Sequence, residues 1–190
     1  MKKLPMNLPN RLTLARIAMI PVYFLLLLGG PVLRIAAALV FAAASITDYF
    51  DGKIAREQHI VTDFGKFMDP IADKLLVLLP FIYFVALESP WEWNVLPVLV
   101  MVAREMVVSG FRLVAASRGS VIAADQSGKI KTGVQMGTAI GLTLAPALAP
   151  LLPPITALCW IFTWICGALS AYSGAELLIK NWKILLVEEE

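Results

Sequence analysis

The chain has 190 residues, 59% of them hydrophobic and only 16% charged, with a net charge of +2 and a mean hydropathy of +0.77. A soluble domain of this length carries about a quarter charged residues, so the composition excludes an ordinary aqueous globule and points to a multi-span membrane protein. The small net charge offers no electrostatic footprint for nucleic acid. One histidine and two cysteines cannot supply a zinc site, so any metal here is held by oxygen.

Six apolar segments are predicted, at 12–29, 32–50, 67–87, 95–116, 133–151 and 155–178. The first follows Lys2 and Lys3 as a signal peptide would, but Arg16 interrupts it and no small-residue cleavage site follows, so it reads as an uncleaved span. Lys and Arg collect on one side of the bilayer: Lys2, Lys3 and Arg11; Lys53, Arg56 and Lys66; Arg112, Arg118, Lys129 and Lys131; Lys180 and Lys183. The connections Glu88–Asn94 and Pro146–Pro154 have none, and Arg34 is the exception. The positive-inside rule puts both termini in the cytoplasm.

Trp91, Trp93 and Trp160 suit the opposite interfacial belt and Trp182 the cytoplasmic one. Gly133, Gly137 and Gly141 form a small-residue face, read as packing within the bundle slightly ahead of a dimer contact. Cys159 and Cys166 are about 10 Å apart along one helix, too far for a disulfide.

The chemistry concentrates between the second and third segments. Asp48 and Asp51 are spaced i, i+3; Asp69 and Asp73 are spaced i, i+4. Each pair falls on one face of its helix. A carboxylate near the centre of a membrane helix costs about 2.5–3.5 kcal/mol, so these four need neutralising. Two divalent cations, Mg2+ or Mn2+, do so in the manner of a two-metal phosphoryl-transfer site. The expected fold is an all-α integral membrane bundle of six transmembrane helices with a cytoplasm-facing polar metal site. Pro70 is expected in the first turns of its helix, where a missing N–H is tolerated. Gly52 permits close backbone approach, and Arg56 offers a guanidinium fork for phosphate oxygens.

The pattern D-x2-D-G-x2-A-R-x8-G-x3-D-x3-D, from Asp48 to Asp73, resembles the signature of the CDP-alcohol phosphotransferases, and every fixed position matches. The resemblance implies a single domain over 1–190 that transfers the phosphate-bearing moiety of a CDP-activated compound to an acceptor hydroxyl and releases CMP. It implies that Asp48, Asp51 and Asp69 are metal ligands. Asp73 would be both ligand and general base, and Gly52, Arg56 and Thr62 would hold the CDP part.

Three further stretches, Pro9–Arg16, Ala103–Arg112 and Gly128–Thr132, are similar to the phosphatidylglycerophosphate synthases of that family. That narrower resemblance implies CDP-diacylglycerol as donor and glycerol 3-phosphate as acceptor, in a bacterial inner membrane, with a homodimer as the assembly. Asn10 and Thr13 become candidates for nucleotide contact, with a helix N-cap the equal alternative for Asn10. Arg104, Arg112, Arg118, Lys129 and Lys131 become a basic pocket for the acceptor phosphate. Glu105, within a span, is expected to pair with another helix rather than with its neighbour Arg104. The rival readings are the same chemistry on inositol phosphate or serine, an intramembrane prenyltransferase, and a cation carrier.

Overall fold

The computed structural model describes residues 7–57, 63–120, 122–123 and 125–186, without the side chains of 8, 9, 48–57, 63, 66 and 185. Six α-helices account for most of them: α1 (Leu8–Leu27), α2 (Pro31–Glu57), α3 (Asp63–Leu87), α4 (Val95–Ser117), α5 (Gln126–Leu148) and α6 (Ile155–Asn181). Short 3-10 turns stand at Glu92–Asn94 and Trp182–Leu185, and no strand occurs among the described residues.

The helices overrun the apolar segments at their polar ends, because backbone hydrogen bonding does not stop where hydropathy does. The acidic spacing therefore lies inside helices: α2 continues past Asp48 and Asp51 to Glu57, and α3 begins at Asp63, ahead of Asp69. Pro70 is consequently the eighth residue of α3 rather than part of its opening turns. It leaves the Lys66 carbonyl without its i+4 donor in mid-helix. Helix α5 starts at Gln126, a full seven residues before the apolar segment, and so takes Lys129 and Lys131 onto a helix.

Among the described residues, three stretches are long and apolar enough to cross a membrane: Asn10–Leu27, Phe67–Leu87 and Ile155–Ile184. Helix α2 adds a shorter apolar run, Pro31–Thr47. Large apolar side chains such as Leu25, Val32, Leu39, Leu87, Leu99, Leu113 and Ile179 stand exposed on all the helices that carry them. Exposed apolar surface on this scale marks lipid contact rather than water contact, and the chain is a membrane protein.

By packing, the chain divides into two compact units, Met1–Pro80 with Ala139–Cys159 and Phe81–Thr138 with Trp160–Glu190. In the first, the buried stripe of α1 runs 10, 13, 16, 20, 23, 27, the 3–4 spacing of one helical face. Its first half is polar (Asn10, Thr13, Arg16) and its second apolar (Ile20, Tyr23, Leu27). Ile20 and Tyr23 of the apolar half lie with Phe41 and Ala44 of α2 and Leu76 and Leu79 of α3 around a small cleft. Tyr23 also reaches Thr143 through its hydroxyl, 2.8 Å away.

In the second unit, Val108 and Phe111 of α4 pack with Leu177 of α6. Helix α4 ends in a Schellman motif: Gly119 adopts φ +75°, the Ser120 N–H reaches the Ala115 carbonyl at 2.9 Å, and the Gly119 N–H reaches Ala116 at 3.0 Å. Trp160 is only 2% exposed, so it is a core residue and not a belt residue. Trp91, Trp93 and Trp182 stand exposed. Both cysteines are free and buried. A side chain added at Gly133 or Gly137 would meet none of the described residues within 4 Å, so against those residues the two do not pack as expected. Gly141, whose added Cβ would stand 3.0 Å from Cys159 Sγ, does.

Candidate active site

Helix α1 delivers polar side chains to the acidic face of α3. Thr13 Oγ1 donates to Asp69 Oδ1 at 2.6 Å, and Arg16 Nη1 donates to Asp73 Oδ1 at 2.8 Å. The register follows from helix geometry. Thr13 and Arg16 are three residues apart on α1, Asp69 and Asp73 four apart on α3, and each spacing is close to one turn. Arg16 is fully buried, whereas the Asp73 side chain is 47% exposed.

Asn10 is buried beside these residues on the α1 stripe, but it is not the helix cap. Asn7 is the cap, its Oδ1 accepting from the Asn10 N–H at 3.0 Å. Helix α1 thus begins about one turn earlier than its apolar segment, because Asn7 supplies the acceptor that its first turn needs. Asp48, Asp51, Gly52 and Arg56 lie on the last turns of α2, with their side chains outside the described residues. Thr62 lies outside the described residues altogether.

The donor set suits a hard divalent cation: every acidic position of the pattern is a carboxylate, and Asp69 and Asp73 share one face of α3. Among the described residues no group of three or more His, Cys, Asp or Glu is placed to hold a metal, and the Asp48 and Asp51 side chains are not among them.

The basic residues form a second cluster. Glu105 accepts from Arg104 Nη1 at 2.9 Å and from the buried Lys131 ammonium of α5. Arg104 also donates to Ser173 Oγ of α6 at 3.2 Å. The expected cross-helix partner of Glu105 is therefore Lys131. The contact with Arg104, discounted because adjacent helical side chains diverge, is nevertheless made, since the long Arg104 side chain curls back over its own helix. Arg112 is within electrostatic reach of Lys131. Two cations thus hold one carboxylate, with Arg112 near one of them, and among the described residues the buried Nε atoms of Arg104 and Arg112 have no hydrogen-bond partner. Such a surplus suits an anion. Lys129 is exposed on the first turn of α5, and Arg118 is tied through Nη1 to the Ile184 carbonyl.

Sequence reasoning assigned no site role to Arg16, Glu105, Ser173 or Gly174. The first two carried a usable signal, an ionisable residue inside an apolar segment. The serine and glycine carried none, since their importance comes only from where Arg104 lies.

The model of the CDP-alcohol phosphatidyltransferase family matches residues 6–172, nearly the whole chain. The chain belongs to that family. Among its relatives, the CDP-diacylglycerol–glycerol-3-phosphate 3-phosphatidyltransferase of Bacillus subtilis is 39% identical over 192 residues, covering 94% of this chain and 97% of the relative. Proteins of the same name from Rickettsia bellii and Escherichia coli are 46% and 42% identical, each over about 70% of both chains.

Proposed function

We propose that this transferase moves a phosphatidyl group from CDP-diacylglycerol to glycerol 3-phosphate, giving phosphatidylglycerol phosphate and CMP. The observation that carries this reading is the near full-length similarity to the Bacillus subtilis phosphatidyltransferase, whose name states both substrates. The residue chemistry supports it, since an acidic face suits a metal-bound diphosphate and a cation-rich cluster suits a phosphorylated acceptor.

In this reading the whole chain, 1–190, is one catalytic domain with six spans. Both termini and the site are cytoplasmic, because Lys and Arg collect on that side. The bacterial source of the relatives favours an inner membrane. Asp48, Asp51, Asp69 and Asp73 would hold two Mg2+ or Mn2+ ions, which when bound neutralise the diphosphate. Gly52, Arg56 and Thr62, with Asn10 and Thr13, serve the CDP moiety. Arg104, Arg112 and Lys131 hold the acceptor phosphate, with Arg118 and Lys129 flanking them. An Asp73 carboxylate oxygen takes the proton of the acceptor's terminal hydroxyl. The deprotonated acceptor oxygen then bonds to the lipid-side phosphorus as the bond to CMP breaks. Gly133 and Gly137, whose Cβ positions meet none of the described residues, permit a close helix approach in a homodimer.

The test is CMP release by purified protein in mixed micelles, with a panel of acceptors and with and without Mg2+. Release that depends on glycerol 3-phosphate is expected. Release with inositol phosphate or serine instead would reassign the acceptor, and ion flux without CMP would overturn the enzyme.

A further inference from the structure

Thr13 and Arg16 make contacts whose cost is hard to justify as stability alone. Arg16 is a fully buried cation on a half-exposed carboxylate. Desolvating a guanidinium costs several kcal/mol, and replacing both members of a buried ion pair by apolar residues of similar volume is often neutral or stabilising. As a device to hold helices together the pair is poor. As a device to fix the direction of one carboxylate it is effective, because the rigid guanidinium is locked by its own burial. Thr13 does the same to Asp69 one turn away, through a short hydrogen bond from a hydroxyl that is itself buried.

The two donors differ in kind. A hydroxyl orients a carboxylate without compensating its charge; a guanidinium does both. Each engages an Oδ1 atom. The polar half of the α1 stripe is thus matched to the acidic face of α3, donor for acceptor.

We propose that Thr13 and Arg16 are positioning residues: by holding one oxygen of Asp69 and of Asp73, α1 sets the aim of the α3 carboxylates toward a divalent cation. The inference rests on the reading of Asp69 and Asp73 as metal ligands. Outer partners of ligating carboxylates are worth about 10–100-fold in metal affinity.

The experiment is a Mn2+ titration of the purified full chain in micelles without lipid substrate, followed by electron paramagnetic resonance, on wild type, Thr13→Val, Thr13→Ser and Arg16→Lys. It is paired with the Mg2+ dependence of CMP release. Thr13→Val is expected to weaken Mn2+ about tenfold and to raise the half-saturating Mg2+ by a similar factor, with kcat recovering at high Mg2+. Thr13→Ser, which restores the hydroxyl, should rescue both. Arg16→Lys, which keeps the charge and loses the planar fork, should weaken Mn2+ to a similar degree and carries the test if Thr13→Val does not fold. Wild-type Mn2+ affinity in a folded Thr13→Val or Arg16→Lys protein would overturn the positioning role and leave the metal site standing. Equal losses in Thr13→Val and Thr13→Ser would overturn the role of the hydroxyl. Failure of wild type itself to bind Mn2+ would overturn the metal site, and the inference with it.

Discussion

Gly174 of α6 lies against the Arg104 side chain so closely that an added Cβ would stand 2.8 Å from Arg104 Cγ. No ordinary contact is that short, so the absence of a side chain at Gly174 is what lets Arg104 run across α6 to Ser173 and back to Glu105. Gly174→Ala is expected to push the guanidinium off this path, at about 1–3 kcal/mol of packing strain. If Arg104 holds the acceptor phosphate as proposed, the KM for glycerol 3-phosphate should rise about tenfold while binding of CDP-diacylglycerol stays near normal. A parallel loss of both would mean that the substitution disturbs the fold rather than the acceptor site.

Glu105 is the one carboxylate joined to both Arg104 and Lys131. Replacing it with Gln keeps the shape and leaves the cations without their counter-charge. Breaking a buried pair from one side costs about 3–5 kcal/mol, and Glu105→Gln should lower the thermal midpoint in micelles by several degrees. Glycerol 3-phosphate supplies an anion to the same cations, so added substrate should recover more of the midpoint in the variant than in wild type. Equal ligand shifts in the two proteins would detach Glu105 from the acceptor cluster.

The sequence disclosed the helices and the acidic spacing because both are periodic. Four aspartates at i, i+3 and i, i+4 inside or beside greasy segments conflict with their surroundings, and that conflict is visible without coordinates. The contacts of α1 are not periodic in the same sense. Thr13 reads as a nucleotide contact and Arg16 as a stray charge, and neither reads as a partner of α3 until that helix is seen beside them, 56 and 57 residues on in the chain. Trp160 misled because aromatic belts are inferred from distance along a helix, which says nothing about which way a ring faces. For Asn10 only the N-cap alternative fails, because Asn7 caps the helix in polar sequence ahead of the hydropathy boundary. Pro70 was misplaced for the same reason: α3 begins four residues before its apolar segment.

Arg112 and Arg118 are six residues apart and are predicted to behave differently. Among the described residues the buried Arg112 Nε has no hydrogen-bond partner, whereas Arg118 is exposed and holds the Ile184 carbonyl. A charge-assisted hydrogen bond contributes about 1.5–3 kcal/mol, so Arg112→Ala should raise the KM for glycerol 3-phosphate at least about tenfold. Arg118→Ala should change it about twofold or less. Steady-state kinetics at saturating CDP-diacylglycerol separates the two, and an unchanged acceptor dependence in Arg112→Ala would remove Arg112 from the pocket.

Asp73→Asn gives the sharpest test of the base. Asparagine keeps a carbonyl oxygen where Asp73 Oδ1 accepts from Arg16, so the α1 contact can persist while the proton acceptor is lost. Turnover should fall by about 10²–10⁴-fold, the usual contribution of general-base catalysis, and further if the lost charge also weakens a cation. CDP-diacylglycerol binding should be largely spared, because Asp48, Asp51 and Asp69 remain. Chelation with EDTA should abolish CMP release in wild type, and Mg2+ or Mn2+ should restore it; neither ion should restore the variant. If lipid binding and turnover instead fall together in Asp73→Asn, the residue acts in holding the nucleotide, and another group must take the proton.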